Sequence, residues 1–224
     1  MTTDRSWDIY LRETLRYLGY GGIPVEEIDL RVLTFIEEIT AELREKSNMK
    51  NRAIWMPLSQ TEDGICFGEH IKIRSRDLSC HLAGCEEGIL FAATLGTEAD
   101  RIIYRYSRMD MSKGVIAEAA ATALIEAYCD DCQAGWQETV RKQGRTLRER
   151  FSPGYGDFSI VYQKDILALL DAARKLGLTL TDGLMLAPAK SVTAIIGISD
   201  RKASYKKTGC QNCDKKDCAF RREM

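Results

Sequence analysis

Two stretches of this 224-residue chain carry side chains at spacings that suit chemistry. Cys210, Cys213 and Cys218 form a C-x2-C-x4-C pattern in a polar segment preceded by Gly209. Two cysteines separated by two residues can turn both sulfurs to one side, and thiolates select soft ions. The pattern therefore suits zinc with a fourth ligand from elsewhere, or an iron–sulfur cluster, with reactive free thiols as the alternative. The second stretch is Arg150-Phe151-Ser152-Pro153-Gly154-Tyr155-Gly156-Asp157. Pro153 fixes its own φ and pushes Ser152 toward extended geometry, while Gly154 and Gly156 open turns that other residues resist. Such a segment either cradles a ligand with its backbone groups or simply connects two elements at the surface.

Other reactive groups are sparser. Glu118 and Glu126 lie on a largely apolar helical pattern, where a carboxylate must be solvated or paired. Cys129 and Cys132 repeat the C-x2-C spacing inside that pattern, and Cys66, Cys80 and Cys85 fall in strand and helix patterns where packing explains them. His70 and His81 are the only histidines, which argues against a multi-histidine metal centre. No G-x-S-x-G, P-loop or H-E-x-x-H motif occurs.

The 32 basic and 33 acidic side chains nearly cancel to −1, so no global field favours nucleic acid or an anionic membrane. The basic runs at Arg141, Lys142, Arg145, Arg148 and Arg150, and at Arg201, Lys202, Lys206 and Lys207, read as solvated faces first, with docking to an acidic partner or anionic ligand as the alternative. The chain starts without an apolar targeting core, and no run approaches the apolar length of a membrane span. A reducing cytoplasm is the expected setting, in which eight cysteines serve as thiols or ligands before disulfides.

Positioning these residues falls to mixed elements. Ile9, Leu11, Leu15 and Leu18 predict a helix over Asp8–Leu18 closed by Gly19, and a wider apolar face predicts a second over Val25–Leu43. Arg44–Arg52 reads as a polar loop. Strands are expected at Ala53–Leu58, Gly64–Phe67 and His70–Arg74, then a short helix at Asp77–Gly84. Gly88–Thr94 reads as a strand buried on both faces. It leads through Leu95-Gly96-Thr97, with Thr97 as N-cap, into a basic helix; that junction is either plain packing or an anion site. The longest helix is expected over Met109–Lys142 and is alanine-rich. An amphipathic helix over Gln163–Lys175, carrying Ile166, Leu169, Leu170, Ala173 and Leu176, precedes a hairpin of Leu178–Leu186 and Val192–Ile198. Without regular strand–helix–strand alternation the class is α+β: one domain over residues 1–200 and a cysteine-rich tail over 201–224.

Four motifs at consistent spacing resemble the activation (reactivation) domain of cobalamin-dependent methionine synthase. They are Arg150-x-x-Pro153-Gly154-Tyr155, the helix from Gln163, Leu178-Thr179-Leu180-Thr181, and Pro188-x-x-Ser191-Val192-Thr193, and the match is best from Val115 to Ile198. The resemblance implies a twisted antiparallel sheet flanked by helices, one of them the long alanine-rich helix. It implies an S-adenosylmethionine site with Arg150, Pro153, Gly154 and Tyr155 as the holding loop, Glu126 as the helix carboxylate, and Ser191 on the facing strand. It further implies reductive remethylation of cobalamin carried by a separate corrinoid-binding methyltransferase, with an electron donor such as a flavodoxin or ferredoxin. Ile195 and Ile196 stand where the family has aromatic residues on that strand. Retention of the fold with a metal- or cluster-carrying tail but no S-adenosylmethionine is the alternative function.

Overall fold

Runs of β-branched residues between Lys50 and Asp200 create a six-stranded antiparallel sheet in the computed structural model, which describes residues 4–200. Its strands are β1 (Lys50–Thr61), β2 (Gly64–Phe67), β3 (Ile71–Ile73), β4 (Cys85–Thr94), β5 (Arg145–Leu147) and β8 (Ser191–Asp200), ordered β3-β2-β1-β4-β8-β5. A separate two-stranded ribbon pairs β6 (Thr179–Leu180) with β7 (Leu186–Ala187). Among the described residues the α-helices are α1 (Asp4–Tyr17), α2 (Leu30–Lys46), α3 (Arg76–His81), α4 (Thr97–Met109), α5 (Met111–Arg141), α6 (Gln163–Leu169) and α7 (Ala172–Leu176). This is the expected α+β class. The described chain divides into two compact units.

The first unit takes the chain up to Asn48 together with Thr97–Ala127. Its core is helical, with Ile36, Ile39, Leu43, Ala99, Ala117, Ala120 and Ala121 all buried. Small side chains on α5 let a neighbour come close: the buried Tyr10 hydroxyl on α1 donates to the Ala120 carbonyl at 2.7 Å and accepts from Thr40 of α2 at 3.1 Å. Glu42 on α2 accepts from Arg105 and Tyr106 of α4 and from Lys46, and the Arg105 hydrogen bond above all holds its carboxyl down at about 2.

The second unit takes Met49–Gly96 and the described chain from Tyr128 to Asp200. Strand register puts Ile54 opposite Leu90 and Leu90 opposite Ile195, so these three point to one face. There they meet Phe67, Ile73, Leu78, Phe158, Ile166, Leu170 and Leu176, most of them without exposed surface. Fully burying a Leu, Ile or Phe side chain contributes about 1.5–3 kcal/mol, so this layer fixes where α3, α6 and α7 sit on the sheet. On the opposite face Phe91 stacks edge-on against Trp136 of α5, with centroids 5.0 Å apart.

Several boundaries differ from expectation for local reasons. The second helix begins only at Leu30, because Asp29 accepts from the Arg31 amide as its N-cap, while Val25–Glu27 is a single 3-10 turn. It runs on to Lys46, and β1 already starts at Lys50, so the Arg44–Arg52 loop shrinks to three residues. The single helix expected over Gln163–Lys175 breaks in two at Asp171, whose φ is 48°. The hairpin of Leu178–Leu186 with Val192–Ile198 does not form. Leu178–Ala187 folds back on itself as β6 and β7, and β8 pairs with β4 and β5 instead. Thr97 is the first residue of α4 rather than a cap before it, and the Gly96 amide is taken by the Thr94 hydroxyl at 3.0 Å.

Candidate ligand-binding loop

Ser152 to Tyr155 close a β-turn, with the Tyr155 amide donating to the Ser152 carbonyl at 3.1 Å. Pro153 occupies the position that prefers a fixed negative φ, and Gly154 follows with φ 95°, which a side chain would resist. The Gly154 amide then donates to the Phe158 carbonyl at 2.7 Å and the Phe158 amide to the Tyr155 carbonyl at 2.9 Å. Pro153 is buried under this double turn, and Tyr155 stands out at 58% exposure.

Three anchors hold the turn. Phe151 bridges to Ile195 of β8, exchanging backbone hydrogen bonds of 3.0 and 2.9 Å. Arg150 reaches α5, where its Nη1 lies 2.7 Å from Asp130 Oδ1 and 3.2 Å from Gln133 Oε1. Asp157 closes the far side at the start of α3. Its carboxylate accepts from the Ser75 hydroxyl at 2.5 Å and from the amides of Arg76 and Asp77 at 2.8 and 3.1 Å. Its own amide donates to Asp77 Oδ2 at 3.1 Å. The Ser75 hydrogen bond, then the Arg76 amide, hold the Asp157 carboxyl below the ordinary carboxylate range. The end of α3 grips the same segment, since His81 Nε2 lies 2.8 Å from the Glu149 carbonyl and its ring packs 5.0 Å from Phe151. Burial pushes the His81 pKa down, favouring the neutral ring.

Of the basic run before the loop, Arg141 and Lys142 are exposed as expected, whereas Arg145, Arg148 and Arg150 are not a solvated face. Arg148 is 4% exposed and donates to the Ala83 carbonyl at 3.1 Å, while Arg145 pairs with Glu87 at 2.5 Å. Ser191 lies at the beginning of β8, its hydroxyl 2.7 Å from both Thr94 Oγ1 and the Pro188 carbonyl. Three strand residues lie between it and Ile195, a rise of roughly 13 Å along extended chain. Glu126 is half-buried on the stretch of α5 that belongs to the first unit.

Asp130, Gln133 and Asp157 escaped the sequence reading as functional residues. Asp157 carried a usable signal, lying within the proline–glycine segment, but its partners are 80 and more positions away. Cys210, Cys213 and Cys218 lie outside the described residues. Within the described residues no group of three or more His, Cys, Asp or Glu side chains is arranged to hold a metal ion. Cys129 is buried and Cys132 half-buried, and burial first, then Asp131, raises the Cys132 thiol. Cys80 is exposed on α3 rather than packed. No described helix is long and apolar enough to cross a membrane.

A curled antiparallel sheet with helices, one of them 31 residues long, is the fold class of the methionine synthase reactivation domain. A crystal structure of the MetH reactivation domain bound to AdoHcy superposes with a TM-score of 0.65 at 17% identity, covering 90% of this chain and 78% of that one. Over residues 46–223 the sequence matches the family described as vitamin B12 dependent methionine synthase, activation domain, and the chain belongs to that family. No curated protein matches this sequence.

Proposed function

We propose that the chain binds S-adenosylmethionine at the Arg150–Asp157 loop and supports reductive remethylation of cobalamin carried by a separate corrinoid methyltransferase. The observation that carries this reading is the loop itself: a turn anchored at β8, α5 and α3 that leaves Tyr155 exposed. A site fixed before the ligand arrives loses little ordering entropy on binding. Family membership and the AdoHcy-bound structural relative support the same choice of ligand.

The donor set fits an amino-acid sulfonium. A guanidinium can take the ligand carboxylate in a charge-assisted pair, and turn carbonyls can face an ammonium or a sulfonium. When bound, S-adenosylmethionine supplies the methyl group; the chain's own residues hold and orient it, without a general base. Glu126 belongs to the proposal through its match to the family's helix carboxylate, and an electron donor such as a flavodoxin or ferredoxin would serve the partner. The proposed setting is the cytoplasm.

Titration calorimetry with S-adenosylmethionine tests the reading. Wild type should bind at one site, and Tyr155→Ala should weaken binding. Absence of binding at millimolar ligand would overturn the proposal, as would an unchanged affinity in both Arg150→Ala and Tyr155→Ala. Glu126→Gln is titrated beside them, and an unchanged affinity removes that residue from the set.

A further inference from the structure

Helix α5 does more than lie alongside the loop. Asp130, Gln133 and Gln137 are spaced three and four apart, which puts them on one helical face. All three act on one short stretch of chain. Gln137 Oε1 accepts from the Leu147 amide at 3.0 Å and the Thr146 hydroxyl at 3.4 Å. Gln133 Nε2 donates to the Arg148 carbonyl at 3.0 Å, and its Oε1 accepts from Arg150. Asp130 faces the same Arg150 nitrogen at 2.7 Å. The backbone leading into the loop and the guanidinium at its mouth are thus indexed against one helix, two residues at a time.

Asp130 and Gln133 both meet Arg150 at one atom, Nη1. A guanidinium is planar with its donors in a fixed fork, so holding one nitrogen from two directions sets the plane and the direction of the whole group. The Arg150 side chain is 14% exposed while Asp130 is 65% exposed, so the arginine is the inner partner and the aspartate the outer one. An arginine fastened this way cannot swing to follow a carboxylate that arrives elsewhere, which makes its position a selector.

We infer that Asp130 and Gln133 are positioning residues that aim Arg150 at the α-carboxylate of the ligand, so that they set selectivity for an amino-acid-bearing nucleoside over the same molecule without its carboxylate. This inference rests on the proposed S-adenosylmethionine site. Its distinctive consequence is a split between ligands. Losing the aim of Arg150 weakens the grip on the carboxylate alone, whereas general loosening of the loop weakens everything that binds there.

The test is calorimetric titration of the full chain with S-adenosylmethionine and, in parallel, with decarboxylated S-adenosylmethionine. Asp130→Asn and Gln133→Ala should each weaken S-adenosylmethionine binding about tenfold, the scale of one hydrogen bond to a charged group, and leave the decarboxylated ligand within about twofold. Gln133→Glu keeps an acceptor for Arg150 and gives up the bond to the Arg148 carbonyl; it should retain the wild-type preference, which separates aim from folding. Equal losses for both ligands, or a preference unchanged in Asp130→Asn and Gln133→Ala, would overturn the inference while leaving the binding site in place. Wild type that binds neither ligand would overturn the site and the inference together.

Discussion

Gly156→Ala perturbs the loop at the point where its backbone conformation and its anchoring coincide. The residue has φ 52°, and an added Cβ would lie 2.1 Å from Asp77 Oδ2 and 3.0 Å from its carboxyl carbon. Left-handed backbone costs an ordinary residue roughly 1–2 kcal/mol. The carboxyl group of Asp77 must also move, and it is the acceptor of the Asp157 amide, so that bond is lost on top of the strain. A destabilisation of at least about 1–2 kcal/mol lowers the melting temperature of a chain this size by roughly 2–8 °C. Gly154→Ala is the control: φ is 95°, but the nearest atom to its Cβ would be Ile160 Cδ1 at 3.9 Å, so strain acts without a clash. Differential scanning calorimetry of the two variants should rank Gly156→Ala as the more damaging, and titration should show it losing S-adenosylmethionine affinity. Equal melting temperatures for wild type and Gly156→Ala would refute the claim that this turn is fixed by its anchor at α3.

Three further outcomes are expected. Glu42 has a carboxyl held down at about 2, so its contribution is complete above the ordinary value of 4.5 and fades as pH falls from there toward about 2; urea unfolding at pH 7 and pH 3 should show wild type losing more stability than Glu42→Gln. His81 has a lowered pKa, so the unfolded chain binds its proton first and stability should fall as pH drops below 6.5; His81→Gln should flatten that limb in the same assay. Tyr10→Phe leaves the Ala120 carbonyl and the Thr40 hydroxyl without their buried partner, and about 1–3 kcal/mol should be lost in urea unfolding.

The parts legible in the sequence were those written in local pattern. Gly88–Thr94 announced a doubly buried strand because the middle of a sheet needs apolar residues on both faces, and β4 does lie between β1 and β8. The long helix was legible from its unbroken alanine-rich periodicity, and the loop from its proline and glycines. What stayed hidden depends on partners far along the chain. Val192–Ile198 looked like the second arm of a hairpin because a neighbouring strand is the simplest partner, yet its partner is β4, about a hundred residues earlier. Arg148 and Arg150 looked like surface charge because nothing local reveals that Ala83 and Asp130 wait for them. Asp171 carries the helical pattern on both sides of a left-handed residue, which periodicity does not register. The residue types of the candidate site could thus be read directly, but the side chains that aim them could not.

The most direct measurement is hydrogen–deuterium exchange of the full chain with and without S-adenosylmethionine. Ligand held by the Arg150–Asp157 turn should slow exchange in peptides covering 150–158 and in the adjoining start of α3, where Asp157 is anchored. Protection confined to other segments, or none at saturating ligand, would contradict the assignment of this loop as the binding site.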